Sequence, residues 1–161
     1  MVVDGNGKLC WQVTGQHFES IDIGRVRSDT TGPQILVDIS RPGDRSPLWV
    51  LDEQGRQLGE IVAASSRHHD LIEWGQDGTS AILLASARGV FDGHGKRLAT
   101  LAIDDGDQVR DVMAADVTGD GVPEIVLTTM TGNAVYLYRL PSGVTPKTRV
   151  GLGTPANFTL Y

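Results

Sequence analysis

Three times along the chain an apolar residue is followed by Asp, two variable residues, Gly and then a basic residue. The copies are Val3-Asp-Gly-Asn-Gly-Lys-Leu9, Leu51-Asp-Glu-Gln-Gly-Arg-Gln-Leu58 and Phe91-Asp-Gly-His-Gly-Lys-Arg-Leu98. An Asp side chain at the first turn position can bond the backbone ahead of it, and Gly supplies the positive φ that closes a tight reversal, so each copy predicts a β-hairpin. A second motif is a short apolar run: Ile35-Leu-Val-Asp-Ile39, Ala81-Ile-Leu-Leu-Ala85 and Glu124-Ile-Val-Leu-Thr128. Each run is too short for a helix and is bounded by turn residues, which describes a strand buried on both faces.

The repeated Asp stands at positions 4, 52 and 92. Intervals of 48 and 40 residues bracket a four-stranded propeller blade. The expected fold is all-β: a partial β-propeller over 1-140, of about three four-stranded antiparallel blades near 3-48, 49-88 and 89-140 plus a terminal strand. Val135-Tyr-Leu-Tyr-Arg-Leu140 takes the next hairpin position, and 141-161 is a Pro/Gly/Thr-rich tail whose Asn157-Phe-Thr-Leu-Tyr161 could close a ring. Asn157-Phe-Thr159 also has the form of a glycosylation acceptor, a short motif that arises readily by chance. A competing reading makes helices of Asp107 to Thr118 and Glu60 to Trp74, which lack internal breakers, and so an α/β protein. The equivalent stretch Glu19 to Arg27 alternates with period two and contains Gly24, which favours strands.

Three blades leave open sheet edges, which invite pairing, so the remaining blades are expected from the parent chain or from an associating chain. The chain begins in what reads as the last residues of a strand, and Met1 is expected to mark a truncation.

A net charge of −6 and a pI near 5.0 exclude a basic surface for nucleic acid or an anionic membrane. Between Asp104 and Glu124 seven carboxylates face the single Arg110, a composition that suits a metal better than a phosphate. Within it, Asp116-Val-Thr-Gly-Asp-Gly-Val-Pro-Glu124 carries oxygens at alternating positions: Asp116, Thr118, Asp120, the carbonyl of Val122, and Glu124. Gly121 provides the sharp turn, and calcium, which takes six to eight oxygens in flexible geometry, is the expected occupant. The loop is not an EF-hand, because position twelve is Leu127. Without metal the same residues would make a well-braced turn. The corresponding loops, Glu73-Trp-Gly-Gln-Asp-Gly78 and Arg27-Ser-Asp-Thr-Thr-Gly32, retain few ligands and are expected to be metal-free.

No catalytic residue is assigned. His68-His69-Asp70 is the one close cluster of catalytic residue types, and adjacent His on a strand point to opposite faces, so a solvated turn is expected there. Trp11, Trp49 and Trp74 recur once per unit and are expected to pack in the core rather than stack on sugars. Lone Cys10 excludes an internal disulfide and is expected to fill space beside Trp11. There is no run of eighteen apolar residues to span a membrane.

The segment Asp116-Val-Thr-Gly-Asp-Gly-Val-Pro-Glu-Ile-Val126 resembles the calcium loop and following strand of FG-GAP/VCBS-type repeats of integrin-like propellers. With Gly89-Val-Phe-Asp-Gly-His-Gly-Lys-Arg-Leu98 and Asn157-Phe-Thr-Leu-Tyr161, the chain further resembles the C-terminal blades of rhamnogalacturonan lyases of polysaccharide lyase family 11. The resemblance implies a secreted or periplasmic bacterial protein, a calcium-rich propeller and pectin cleavage by β-elimination in the intact parent. It carries over Asp116, Thr118, Asp120, Val122 and Glu124 as calcium ligands and no catalytic residue. A non-catalytic segment is therefore the expectation for this chain, with an integrin-like adhesion or scaffold module as the alternative.

Overall fold

The computed structural model describes residues 1–40, 45–74, 77–132 and 134–139. The described residues form thirteen strands and no helix. They make four antiparallel sheets: β1 (Val2–Val3) with β2 (Leu9–Trp11); β3 (Ile21–Gly24), β4 (Gln34–Asp38), β5 (Leu48–Leu51) and β6 (Gln57–Ile61); β7 (His69–Glu73), β8 (Ser80–Leu84), β9 (Gly89–Phe91) and β10 (Arg97–Thr100); and β11 (Val109–Ala115), β12 (Glu124–Thr129) and β13 (Val135–Tyr138). Within each sheet the strands neighbour one another in chain order, as short hairpin connections dictate.

The three Asp-x-x-Gly units form three matching turns. Oδ1 of Asp4 accepts the N–H of Asn6 and Lys8, that of Asp52 those of Gln54 and Arg56, and that of Asp92 those of His94 and Lys96, all at 2.8–3.0 Å. Gly7, Gly55 and Gly95 donate to the Asp carbonyls at 3.0 Å with φ between 79° and 84°. The turn position before the variable residue is less uniform. A Cβ on Gly93 would stand 2.3 Å from the carbonyl oxygen of Val26, because this turn rests on the β3–β4 crossing, whereas Gly5 has nothing within 4 Å. Gly93→Ala is expected to destabilise by about 1–3 kcal/mol in urea unfolding, as forced overpacking does, and Gly5→Ala to change nothing measurable.

The sheets pack face to face in sequence. Leu36, Leu48 and Val50 meet Leu71, Ile82 and Leu84 in one core layer. Leu83 and Val90 meet Val112, Ile125 and Leu127 in the next. On the other side Ile35, Val37 and Leu51 are covered by Trp11, Val13 and Phe18. Successive residues of β4 and β8 thus feed opposite layers, which is why these central strands are apolar without alternation. The first strands lie side by side: β7 neighbours both β3 and β11, and Asp70 Oδ2 accepts the N–H of Ala114 at 2.7 Å.

The all-β expectation holds and the competing helical reading fails: Asp107 to Thr118 holds the seven-residue strand β11, and Glu60 to Trp74 is divided between the end of β6 and β7. Val112 is buried while Met113 is 42% exposed on the opposite face, the alternation of a strand. The three apolar runs fall on β4, β8 and β12, which begin at Gln34, Ser80 and Glu124. In a strand buried on both faces no alternation marks the phase, and one residue of slip exchanges the faces. The sheets span 21–61, 69–100 and 109–138. Cys10 is exposed on β2 rather than filling space beside Trp11. Residues 141-161, with the ring-closing strand and the Asn157 motif, lie outside the described residues.

Candidate cation site

The loop from Asp116 to Pro123 joins β11 to β12, whose ends meet in the pair Ala115 with Glu124. Its path is dictated by Asp116, whose carboxylate accepts the N–H of Gly119 at 2.7 Å and Asp120 at 3.2 Å on Oδ1, and of Gly121 at 2.8 Å on Oδ2. Gly119 and Gly121 have φ of 76° and 83°, which a side chain would strain. Asp120 Oδ1 accepts the N–H of Val122 at 3.0 Å and so tightens the second half of the turn.

Glu124 is the buried anchor, 1% exposed, with Oε2 accepting the N–H of Val117 at 3.1 Å and Oε1 the hydroxyl of Thr118 at 2.9 Å. Arg139, immediately after β13, reaches across and places Nη2 at 2.9 Å from Thr118 Oγ1, 3.0 Å from Asp120 Oδ2 and 3.1 Å from Glu124 Oε1. That nitrogen carries two hydrogens and faces three oxygens. A surplus of acceptors round one point is the coordination preference of a small spherical cation.

Of the expected ligands, then, Thr118, Asp120 and Glu124 surround a single cationic atom, Asp116 is turned onto backbone N–H groups, and Val122 is placed by its own N–H. Among the described residues no three His, Cys, Asp or Glu side chains gather closely enough to hold a metal; with Asp116 turned away, two carboxylates and a hydroxyl remain round the shared point. These are hard oxygen donors of the kind calcium takes, but three of them fall short of the six to eight oxygens it requires, and Arg139 already satisfies them.

The other carboxylates of the acidic run are engaged separately. Asp107 accepts from the Tyr136 hydroxyl at 2.5 Å, a bond that raises the phenol to about 12. Asp111 lies 3.4 Å from His68 Nδ1. Burial pushes the Asp111 carboxyl up, but the His68 hydrogen bond and the Val112 N–H outweigh it and leave the group below its ordinary value. The run is thus a series of local pairings rather than one cluster.

The corresponding crossing in the first four-stranded sheet has a neutral amide at the buried position. Gln34, fully buried, stands where Glu124 does and accepts the N–H of Arg27 seven residues before it at 2.9 Å, as Glu124 does from Val117. Its own amide nitrogen donates to Thr30 Oγ1 at 2.8 Å and to the Gly32 carbonyl at 2.9 Å, so the donor comes from within the loop. Asp29 is taken by Arg27 at 2.6 Å, whose hydrogen bond lowers it to about 2. Asp77 accepts from the Thr79 N–H and hydroxyl, which lower it. Sequence reasoning missed both Arg139 and Gln34. The signal for Gln34 was the pair Pro33-Gln34-Ile35 and Pro123-Glu124-Ile125; for Arg139, from a separate strand, no local pattern existed.

His68 to Asp70 is not a solvated turn. His69 begins β7 with its side chain fully buried, Nδ1 2.7 Å from the Ser66 carbonyl and 3.2 Å from Ser20 Oγ, and Nε2 3.5 Å from Asp22. The Ser66 carbonyl can only accept, so Nδ1 carries the proton, and the Ser20 hydroxyl donates to Arg67 O at 2.7 Å. With its proton directed elsewhere, Ser20 is not arranged as a nucleophile with His69 as base. The tryptophans pack: Trp11 against the first core layer with Nε1 donating to Glu53 O at 2.8 Å, Trp49 beside it, and Trp74 against the last layer.

No protein-family model, curated protein or solved structure matches the chain.

Proposed function

We propose that this chain is a calcium-stabilised, non-catalytic segment of a β-propeller belonging to a secreted bacterial carbohydrate-active protein. The observation that carries the calcium reading is the convergence of Thr118 Oγ1, Asp120 Oδ2 and Glu124 Oε1 on one cationic atom within 3.1 Å. Asp120 and Glu124 would hold the ion with Thr118, while Asp116 braces the loop around them through its backbone N–H partners. Calcium supplies a fixed point of charge that ties the end of β11 to the start of β12.

The propeller reading rests on the repeat, on sheets stacked face to face, and on first strands lying side by side. By that repeat the outward face of the last sheet is a blade face awaiting a neighbour. Val126 stands between Met113 on β11 and Leu137 on β12's other partner, β13, and Leu137 and Val135 are 54% and 61% exposed. At the opposite end an apolar groove of about 260 Å³ lies between the β1–β2 hairpin and β3–β4, lined by Val2, Trp11, Phe18, Ile21, Ile35 and Val37. Further blades, from the parent chain or an associating one, would cover both. The same open face supports an adhesion or scaffold reading with a protein partner; a strict monomer in gel filtration, without partner, would count against it.

Melting the chain with and without calcium tests the central reading. At a hundredfold excess over Kd the native state should gain about 2.7 kcal/mol, and Asp120→Ala should abolish the gain. An unchanged melting temperature in the wild-type chain refutes the site. The lyase assignment rests on the sequence resemblance, and full-length parent with pectic substrate should then release products absorbing in the ultraviolet through a new C=C bond; no absorbance sinks it.

A further inference from the structure

We infer that two copies of this chain join head to tail, the outward face of the last sheet of one packing into the apolar groove beside β3–β4 of the other, to close a six-bladed ring. This rests on the propeller reading above and makes the associating chain a second copy. Asp22, Leu36, Val50 and Gly59 stand in one row across β3–β6, and Asp70, Leu83, Val90 and Ala99 in the same row across β7–β10. The last sheet carries only the first three members, Met113, Val126 and Leu137, and the first hairpin only the last two, Val2 and Trp11. Val50 pairs with Gly59 but Leu51 with Gln57, Val90 with Ala99 but Phe91 with Arg97, and Val2 with Trp11 but Val3 with Leu9. The three hairpins thus share one bulge as well as one turn, and β1–β2 is the outer half of a blade. Its seat agrees: a Cβ on Gly55 would meet the Trp11 ring at 2.6 Å, and one on the equivalent Gly95 would meet the Glu60 carbonyl at 3.6 Å.

Within the chain this row makes the contact between sheets. Leu36 and Val50 meet Leu71, Ile82 and Phe91, and Leu83 and Val90 meet Ile125 of the last sheet. The counterparts at the two ends lie open: Met113 and Leu137 are 42% and 54% exposed at one, and Ile21 and Ile23 are 54% and 64% exposed at the other. Their innermost positions match one another. Asp22 lies 3.5 Å from His69 and Asp70 accepts the N–H of Ala114, but Met113 stands in the place of these aspartates and Ile21 in the place of His69, so both sides of the open junction are apolar. Docking brings β13 onto the position of β1, because Leu137 and Val2 share one place in the row. The two-residue β1 gives way to the four-residue β13, whose Tyr136 and Tyr138 hydroxyls donate to Asp107 and to the Ala102 carbonyl. Then β2 of the second copy supplies the fourth strand that the last sheet lacks among the described residues. Two copies with three such sheets each give six blades, within the four to eight of a closed propeller, and no large sheet keeps an open edge.

Sedimentation equilibrium of the full chain should show a 17.3 kDa monomer passing to a dimer as concentration rises, with the urea midpoint rising in step. The half-exposed Leu137 belongs to the monomer, below the dissociation constant. Leu137→Glu and Ile23→Arg change positions more than half exposed in that monomer, so its fold and circular dichroism should survive them. Each should weaken dimerisation at least about thirtyfold, as loss of an interface anchor does. Mixed together, the two variants should associate more tightly than either alone, because one junction then has both faces intact and the other pairs Arg with Glu. A wild-type chain that stays monomeric at its highest soluble concentration overturns the second copy and leaves the propeller reading to the blades of a longer parent. A dimer indifferent to both substitutions overturns the junction and the blade-face reading together. Loss with Leu137→Glu but not with Ile23→Arg means that like faces meet and overturns the head-to-tail joint. Fibres or larger rings overturn closure at two copies.

Discussion

Glu124→Ala should remove about 3 kcal/mol of unfolding free energy in the absence of calcium, and all calcium-dependent stabilisation in its presence. The substitution empties a position 1% exposed and removes two part-buried hydrogen bonds to a charged acceptor, from the Val117 N–H and the Thr118 hydroxyl, worth about 1.5 kcal/mol each. The space left by the side chain adds to this. The Arg139 guanidinium contributes less, because it is largely exposed and can turn to water. Glu124→Gln should recover most of the loss, since the amide oxygen can accept from Val117 as Gln34 accepts from Arg27, and its NH2 can serve the loop. It should not recover calcium binding, because the neutral amide lacks the charge. Urea unfolding of the two variants, with and without calcium, separates the anchoring role of the side chain from its ligand role. Equal losses for Ala and Gln without calcium would show that charge, not the hydrogen-bond pattern, holds the loop.

Leu84→Ala should cost about 3–4 kcal/mol, whereas Leu137→Ala in this chain should cost less than about 0.5 kcal/mol. Both are leucines within short strands of apolar character, yet Leu84 is 0% exposed between the two four-stranded sheets and Leu137 is 54% exposed on the open face. The first substitution leaves a cavity that two packed sheets cannot close. The second removes surface that is already largely exposed among the described residues. The contrast extends to the proposed propeller, for once a further blade is supplied the cost of Leu137→Ala should rise toward that of a core residue. A Leu137→Ala penalty that stays near zero in the longer parent protein would mean that the face is not a blade interface.

The all-β class, the three hairpin turns and the doubly buried central strands were legible from the residues alone. They depend on interactions within a few positions: an Asp carboxylate bonding N–H groups two and four residues on, and a Gly accepting positive φ. The strand phase was not legible in Ile35-Leu-Val-Asp-Ile39 or Ala81-Ile-Leu-Leu-Ala85, because a segment buried on both faces shows no alternation, and pairing with neighbouring strands decides it. Cys10 and Trp11 are adjacent in sequence, but strand geometry sends them to opposite faces, one exposed and one onto Gly55. His68 and His69 followed the same rule, and only the packing of β3 against β7 buried the second of them.

The candidate site divides in the same way. The sequence by itself determined that Asp116, Thr118, Asp120 and Glu124 fall at alternating positions of one short loop that turns sharply at Gly121, because spacing and glycine conformation are local properties. Only the tertiary structure decided that Asp116 braces the turn instead of facing inward, that Glu124 is the buried anchor, and that Arg139 supplies the positive charge. Those outcomes depend on which backbone donors the folded loop presents and on β13 pairing with β12, which carries a residue fifteen positions away to within hydrogen-bond distance of Glu124. No local pattern encodes that approach.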